Sequence, residues 1–412
     1  MKYFWLLSIL FFGGCSKKII SGFIDPDTII AGSAFNPSTK KLLSSTDPGA
    51  FIPDTLHMDH TPVRYLRVNF HFMNSADSSK NFDEPRSRTF VRDLLHVMQI
   101  LFDTNIKLWL PAENTIPVIP VNIKYVLTGL GPGDDGIYHH YDDELYYYIH
   151  MGPRRNNADG EVIDKYAVGL DSILNIFIMP HHPDSAKSKT YKSGCVGIAL
   201  GNAVKISGIY ENKLTEWNVR GTFNHEVGHV LGLYHAWMSD GCEDTPLHSN
   251  NCWVIEDPGC AGRTSNNMMD YNAWQSALSP CQVGIIHKNL SNIYNPVRNL
   301  MIKNWCHYIK ENKITIRDTV EWQGAHDLEG DLEILPGGVL TINGRVSMPP
   351  GSRIIVHPGA ELFLEDCILH NDCGQAWLGI EVLKKGKHSG KVSKSGNVEF
   401  KNTTHHPLTT TH

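Results

Sequence analysis

The chain has 412 residues, 41% of them hydrophobic and 19% charged, which excludes global disorder and allows two or three domains with cores of ordinary size. Its 37 Lys and Arg against 43 Asp and Glu leave a net charge of -6. That balance cannot supply the broad basic surface that non-specific phosphate binding needs, so nucleic acid is not expected as a partner.

No apolar run reaches the roughly eighteen residues of a membrane span; the one membrane candidate is the short stretch from Tyr3 to Phe12 behind Lys2, a signal-peptide core. Gly13-Gly14-Cys15 follows it and resembles a bacterial lipobox, with Phe12 where Leu is more usual, so Cys15 is the lipidation candidate. The chain is expected to be exported, as a cell-envelope lipoprotein of the outer membrane or as a secreted protein. The lipid anchor is the only membrane contact expected.

Residues 16–61 are rich in Pro, Ser, Thr, Gly and Asp without a sustained period and read as a tether or pro-segment. Leu66, Val68, Phe70 and Phe72 then alternate with polar residues as a half-buried strand. Phe90, Leu94, Met98 and Leu101 recur at helical spacing, and Val121, Ile123, Tyr125 and Leu127 alternate as a second strand. The apolar run Leu174–Met179 suits a strand buried on both faces. Two short β-type runs, Cys195 to Leu200 and Ala203 to Ile209, flank Gly201-Asn202 and read as edge strands. A helix over Thr222 to Leu231 follows, and Ser279 with Pro280 opens a last helix bearing Ile286, Leu290, Ile293 and Val297 on one face. These elements make an α+β domain over residues 62–306.

After a connector at 307–326, the composition turns to strands and Pro-Gly turns. Pro336-Gly337-Gly338 before Val339-Leu340-Thr341-Ile342 reappears as Pro358-Gly359-Ala360 before Glu361-Leu362-Phe363-Leu364, 22 residues on. Residues 327–412 therefore read as a β-rich, parallel β-solenoid-like module and tail, with a small β-sandwich as the alternative.

Export gives the cysteines a compartment that permits disulfides. Beyond Cys15 they are Cys195, Cys242, Cys252, Cys260, Cys281, Cys306, Cys367 and Cys373, and four fall in loop-like sequence between Cys242 and Cys281. Cross-links stabilise such core-poor segments most. The histidine pairs His139-His140 and His181-His182 sit in loop-like sequence and read as solvated surface.

The stretch from His225 to His235 carries the chemistry. On a helix, His225 and His229 at i and i+4 project from one face, close enough to share a cation. Glu226 lies about a hundred degrees round, placed to bond a water rather than to coordinate. Gly232 can take the positive φ that ends the helix and lets His235 reach the same ion. Three neutral imidazoles leave a fourth tetrahedral position open, which marks a catalytic rather than a structural zinc site.

With Gly232 and His235 added to His225, Glu226 and His229, the motif matches the extended zinc motif of the metzincin metalloproteases. Asn267-Met268-Met269-Asp270-Tyr271 looks like their Met-turn, and Cys242-Glu243-Asp244-Thr245-Pro246 is similar to the pappalysin group. The resemblance implies a metzincin-like zinc endopeptidase domain: a twisted sheet, a zinc-site helix and a loop-rich lower subdomain. It implies His225, His229 and His235 as zinc ligands, Glu226 as general base for a zinc-activated water, Met269 as the Met-turn residue and Tyr271 as a catalytic tyrosine. It also implies protein or peptide substrates and the disulfides Cys242–Cys260 and Cys252–Cys281. Calcium and oligomeric state are not readable.

Two departures bear on specificity and latency. Aligning Leu278-Ser279-Pro280-Cys281-Gln282 with the family's helix start puts Trp274 where the family has a Cys and Ser276 where basic-specific members have an acid. Arg or Lys preference is therefore not inherited; an apolar or small residue is expected after the cleaved bond, with Trp274 lining the pocket. No Cys lies between Cys15 and Cys195, which removes a cysteine-switch latency device from the N-terminal segment. The rival reading is a non-catalytic surface adhesin or binding protein acting through the C-terminal module. A polysaccharide lyase or hydrolase in that module has too few coils to support it.

Overall fold

The computed structural model describes residues 18–32, 46–77, 81–82, 85–187, 194–211 and 214–404. Cys15 and the apolar stretch before it lie outside these residues. In chain order come strands β1 (Ile19–Phe23), β2 (Ile30–Ala31) and β3 (Arg64–Asn74), helix α1 (Arg86–Thr104), and strands β4 (Ile123–Leu127) and β5 (Ile137–Tyr141). Helix α2 (Glu161–Tyr166), β6 (Leu174–Met179), α3 (Pro183–Lys187), β7 (Val196–Leu200), β8 (Ala203–Ser207), α4 (Glu216–Val230) and α5 (Pro280–Ser291) follow. Short strands occupy the remainder, so the chain mixes α and β, with several sheets and few helices.

The first large sheet has the order β4-β3-β6-β8-β7, with β5 also paired to β3. Its pairs are parallel except β7, which runs antiparallel to β8 at the edge. Helix α1 buries Phe90, Leu94, Met98 and Leu101 in one core with Leu66, Val68, Phe70 and Phe72 of β3, each such side chain contributing about 1.5–3 kcal/mol. Strand β6 is buried along its whole length. Its one polar residue, Asn175, accepts from the Val168 amide at 2.7 Å and donates to Ile173 O at 2.8 Å, which satisfies an amide that has no access to water.

The histidine pairs are not solvated loops. His139 and His140 belong to β5, whose partner β3 places them against Ser87 (2.9 Å) and His71 (2.9 Å). His181 is fully buried, with Nε2 3.2 Å from Gly194 O. Imidazole packs an apolar ring and still satisfies a polar neighbour, so polar sequence flanks did not keep these residues outside.

The C-terminal strands stack in parallel rows. Ile314–Ile316, Leu332–Ile334, Arg353–Val356 and Gly379–Lys385 form one; Thr319–Trp322, Val339–Ile342, Glu361–His370 and Lys391–Phe400 form another. The two strands that follow Pro-Gly turns are direct neighbours, Val339 opposite Glu361. Alternate residues such as Leu340, Ile342, Leu362 and Leu364 fill the interior. The rows begin at Ile314, inside the stretch read as a connector, because strands of three or four residues are too short to show a period.

Residues read as a tether are also held. Strand β1 pairs antiparallel with Gly379–Lys385 and β2 parallel with Lys391–Phe400, while the 3-10 turn Pro48–Phe51 lies on α5, its Pro48 O filling the space beside Gly284.

Where the two parts of the chain meet, Asp327 is buried among three guanidiniums: Arg64 of β3 at 3.3 Å, Arg298 at 2.8 Å and Arg345 at 2.7 Å. The Arg345 contact is one of charge without hydrogen-bond alignment at Oδ1. Arg298 also reaches Asp372 at 2.8 Å, next to a disulfide between Cys306 and Cys373. Burial alone would raise the Asp327 carboxyl; Arg345, Arg298 and Arg64 outweigh it and hold the group well below the usual carboxylate range. A depressed folded pKa makes this stabilisation complete above the unfolded value of ~3.9 and progressively lost as pH falls below it. Asp327→Asn is expected to cost about 3–5 kcal/mol, because it strands buried guanidiniums. Stability of wild type to urea should fall steeply as pH drops from about 4 to about 2, and that of the variant should fall less; equal acid slopes would remove Asp327 from this role.

Candidate active site

Helix α4 is preceded by Thr215, whose side chain and that of Asn218 form a reciprocal cap, and it runs from Glu216 to Val230. The helix is therefore a turn and a half longer at its start than its apolar spacing indicates. His225 Nδ1 donates to Met268 O and His229 Nδ1 to Leu233 O, both at 2.8 Å. A carbonyl only accepts, so these bonds place the protons on Nδ1 and leave each Nε2 as a lone pair.

Gly232 has φ 96°, and Leu233 N–H donates back to Gly228 O at 2.9 Å. This reversal brings His235 to the same point: His229 Nε2 lies 3.1 Å from Nε2 of both His225 and His235. Three nitrogens meeting with no proton assigned between two of them repel one another unless a cation lies at their focus. The set is neutral, all-imidazole and partly open, which fits zinc with a position to spare. Burial, then the neighbouring His229, pulls His225 down to about 3, and the same two causes take His235 to about 4. Both are neutral at pH 7, the form that ligates.

Glu226 faces the same cavity, of about 680 Å³, together with the three histidines, Tyr271 and Asn157. Burial pushes its carboxyl up to about 8, moderated by a hydrogen bond from the Ala199 backbone. The edge strand β7 crosses directly above: a Cβ on Gly197 would lie 2.6 Å from Glu226 Cγ. Below, a Cβ on Gly228 would lie 2.4 Å from the sulfur of Met269, which is fully buried under the histidines. Ala236 N–H donates to Met269 O at 3.0 Å, tying the His235 segment to that turn. Tyr271 is exposed on the rim, its ring 5.1 Å from His235 and 5.9 Å from His225. Burial and then Glu226 raise its hydroxyl pKa.

Each of His225, Glu226, His229, His235, Met269 and Tyr271 thus falls at one site. Trp274 does not line the cavity; its ring lies 5.9 Å from that of Trp109, and Ser276 is likewise outside the lining. Sequence reasoning missed Gly197, Gly228 and Trp237, which stacks on His235 at 4.0 Å. A glycine inside His225–His229 and another inside a strand were the legible signals for the first two, since each costs stability unless something needs the space.

The disulfide pairing differs from that implied by the family resemblance. Cys242 is bonded to Cys281 (Cα–Cα 5.6 Å) and Cys252 to Cys260 (Cα–Cα 5.4 Å). Cys281 sits in the first turn of α5, where its N–H donates to Asp244, so the 240–245 loop is the segment within reach. The third bridge is Cys306–Cys373, while Cys195 and Cys367 are free thiols.

No protein-family model matches the chain. It is 30% identical over 122 residues to an extracellular metalloprotease of Arthroderma benhamiae and, equally, to one of Trichophyton verrucosum. The aligned stretch is 26% of this chain and 45% of each fungal protein, so the chain spans about half the length of these curated relatives. Among solved structures, it is similar to mature mirolysin of Tannerella forsythia in complex with a cleaved peptide, at 18% identity and a TM-score of 0.41, covering 59% of this chain and 97% of that one. Mirolysin in complex with compound 9 gives 18% and 0.40 with the same coverage.

Non-reducing peptide mapping of the purified protein should recover Cys242 linked to Cys281 and Cys252 linked to Cys260. Recovery of Cys242 with Cys260 would contradict the loop arrangement described above.

Proposed function

We propose that the chain is an exported zinc-dependent endopeptidase of the metzincin type, closest in its motifs to the pappalysin group. The observation that carries this reading is the meeting of three imidazole Nε2 atoms beside a buried carboxylate under an open edge strand. The fungal relatives named as extracellular metalloproteases support it over the aligned stretch. His225, His229 and His235 would hold the metal; zinc bound there supplies Lewis-acid polarisation of the scissile carbonyl and activation of a water.

The chain's own groups do the rest. Glu226 takes the proton of the attacking water and passes it to the leaving amine, a role that its place in the cavity beside the three histidines suits. Tyr271, on the rim, is placed to donate toward the oxygen that gains charge. Among the described residues, strand β7 pairs with β8 alone, and its other edge can align an extended peptide by backbone pairing. Glu226 is the one carboxylate among the described residues that line the cavity, so the site is expected to take an apolar or small residue after the cleaved bond rather than Arg or Lys. We read the C-terminal parallel rows as a solenoid accessory module, and Cys15 as the anchor. The intact base and ligand set weighs against an adhesin built on a dead enzyme.

Glu226→Ala should lose at least about 100-fold in peptide hydrolysis while keeping about one zinc per chain. A metal chelator should abolish wild-type activity. Undiminished hydrolysis by the variant would refute the mechanism, and loss of zinc with it would turn the residue into a structural one.

A further inference from the structure

Beyond the histidines, the rim of the cavity continues as a row of aromatic rings. Trp237 stacks on His235 at 4.0 Å and 17°, and Tyr271 lies 4.3 Å from Trp237. Trp253 comes next, 6.0 Å from Tyr271. The outer rings are wet: Trp253 is 52% and Tyr271 39% exposed. Large aromatics gain most of their free energy by burial, so two adjacent half-exposed rings at the lip of a cleft are a surface that a ligand can still cover.

Trp253 is also held in place. It follows Cys252 in the loop closed by the Cys252–Cys260 bridge. Its carbonyl accepts from the Ala273 N–H at 3.0 Å, which locks the loop to the segment that carries Tyr271. The loop thus presents the indole from a held backbone, and a preorganised loop loses little entropy on binding.

We propose that Trp253 is a specificity-determining residue: with Tyr271 it forms an aromatic platform that takes a large aromatic or apolar side chain of a peptide substrate. The platform is continuous with the cavity, since Tyr271 belongs to both. Ring-to-ring steps of 5.1 Å from His235 to Tyr271 and 6.0 Å on to Trp253 put the indole within reach of about three residues of extended peptide, at ~3.3 Å each. The side chain it reads therefore lies two or three positions from the cleaved bond. This inference rests on the peptidase reading, and it names a determinant outside the cavity that holds the three histidines.

The test uses the full chain and a peptide series in which a single Phe or Trp is moved through the positions on either side of one cleavable bond, with Gly as the reference. Wild type should prefer an aromatic at one position two or three residues from the bond. In Trp253→Ala that preference, as the ratio of kcat/KM for aromatic over Gly, should fall about tenfold, through KM rather than kcat, and Trp253→Phe should restore most of it. The same peptides, fluorescently labelled, are titrated against Glu226→Ala with and without Trp253→Ala, so that binding is read without turnover. An aromatic preference that survives Trp253→Ala in both assays overturns the proposal, as does an equal loss on all peptides. If no peptide is hydrolysed by zinc-loaded wild type, the peptidase reading fails; an absent binding preference then overturns the platform separately.

Discussion

Three neutral imidazoles whose ε nitrogens lie 3.1 Å from a common member cannot hold that arrangement by attraction among themselves. The surrounding fold imposes it, and much of the local sequence follows. Backbone carbonyls of Met268 and Leu233 fix two rings by their Nδ1 protons. Gly232 turns the chain so that the third ring arrives. Gly228 opens the space that Met269 fills from below, and Gly197 lets β7 pass over Glu226 from above. A side chain at any of these glycines would push one wall of the site away from the nitrogens.

The rest of the chain holds these walls still. Strand β3 pairs with three strands of the first sheet, β4, β5 and β6, and its first residue, Arg64, reaches across to Asp327 of the C-terminal rows. Arg298 spans from the segment after α5 to both Asp327 and Asp372, beside the Cys306–Cys373 bridge. The N-terminal strands β1 and β2 add to the far sheets, and the Pro48–Phe51 turn covers α5. Helix α5 is thus clamped on one side by the N-terminal segment and joined on the other, through Cys281, to the loop after the third histidine.

The histidine set was legible in the sequence because its geometry is local: i and i+4 on a helix, a glycine stop, then a third ligand within one turn of chain. Strands β3 and β4 and helix α1 were legible because each shows its period, and β6 because its apolar run is nearly unbroken. Pairing of the cysteines was not, since it depends on Cα separations set by tertiary structure; Cys252 chose the partner eight residues away over the one that the family resemblance suggested. Nor was the docking of residues 19–31, whose strand-forming role lies in the edge that receives them. Trp237 and Trp253 sit in irregular loops, where a lone aromatic carries no period and its importance appears only beside Tyr271.

That His225, His229 and His235 share one zinc ion through Nε2 is the claim on which the chemistry stands. Zinc K-edge X-ray absorption of the purified full chain reads it directly, because nitrogen and sulfur neighbours scatter at separable distances. The predicted first shell is three imidazole nitrogens at ~2.0–2.1 Å plus one further light atom, with the imidazole signature lost in His229→Ala. A shell containing sulfur at ~2.3 Å, or a spectrum indifferent to that substitution, would place the metal elsewhere and contradict the account.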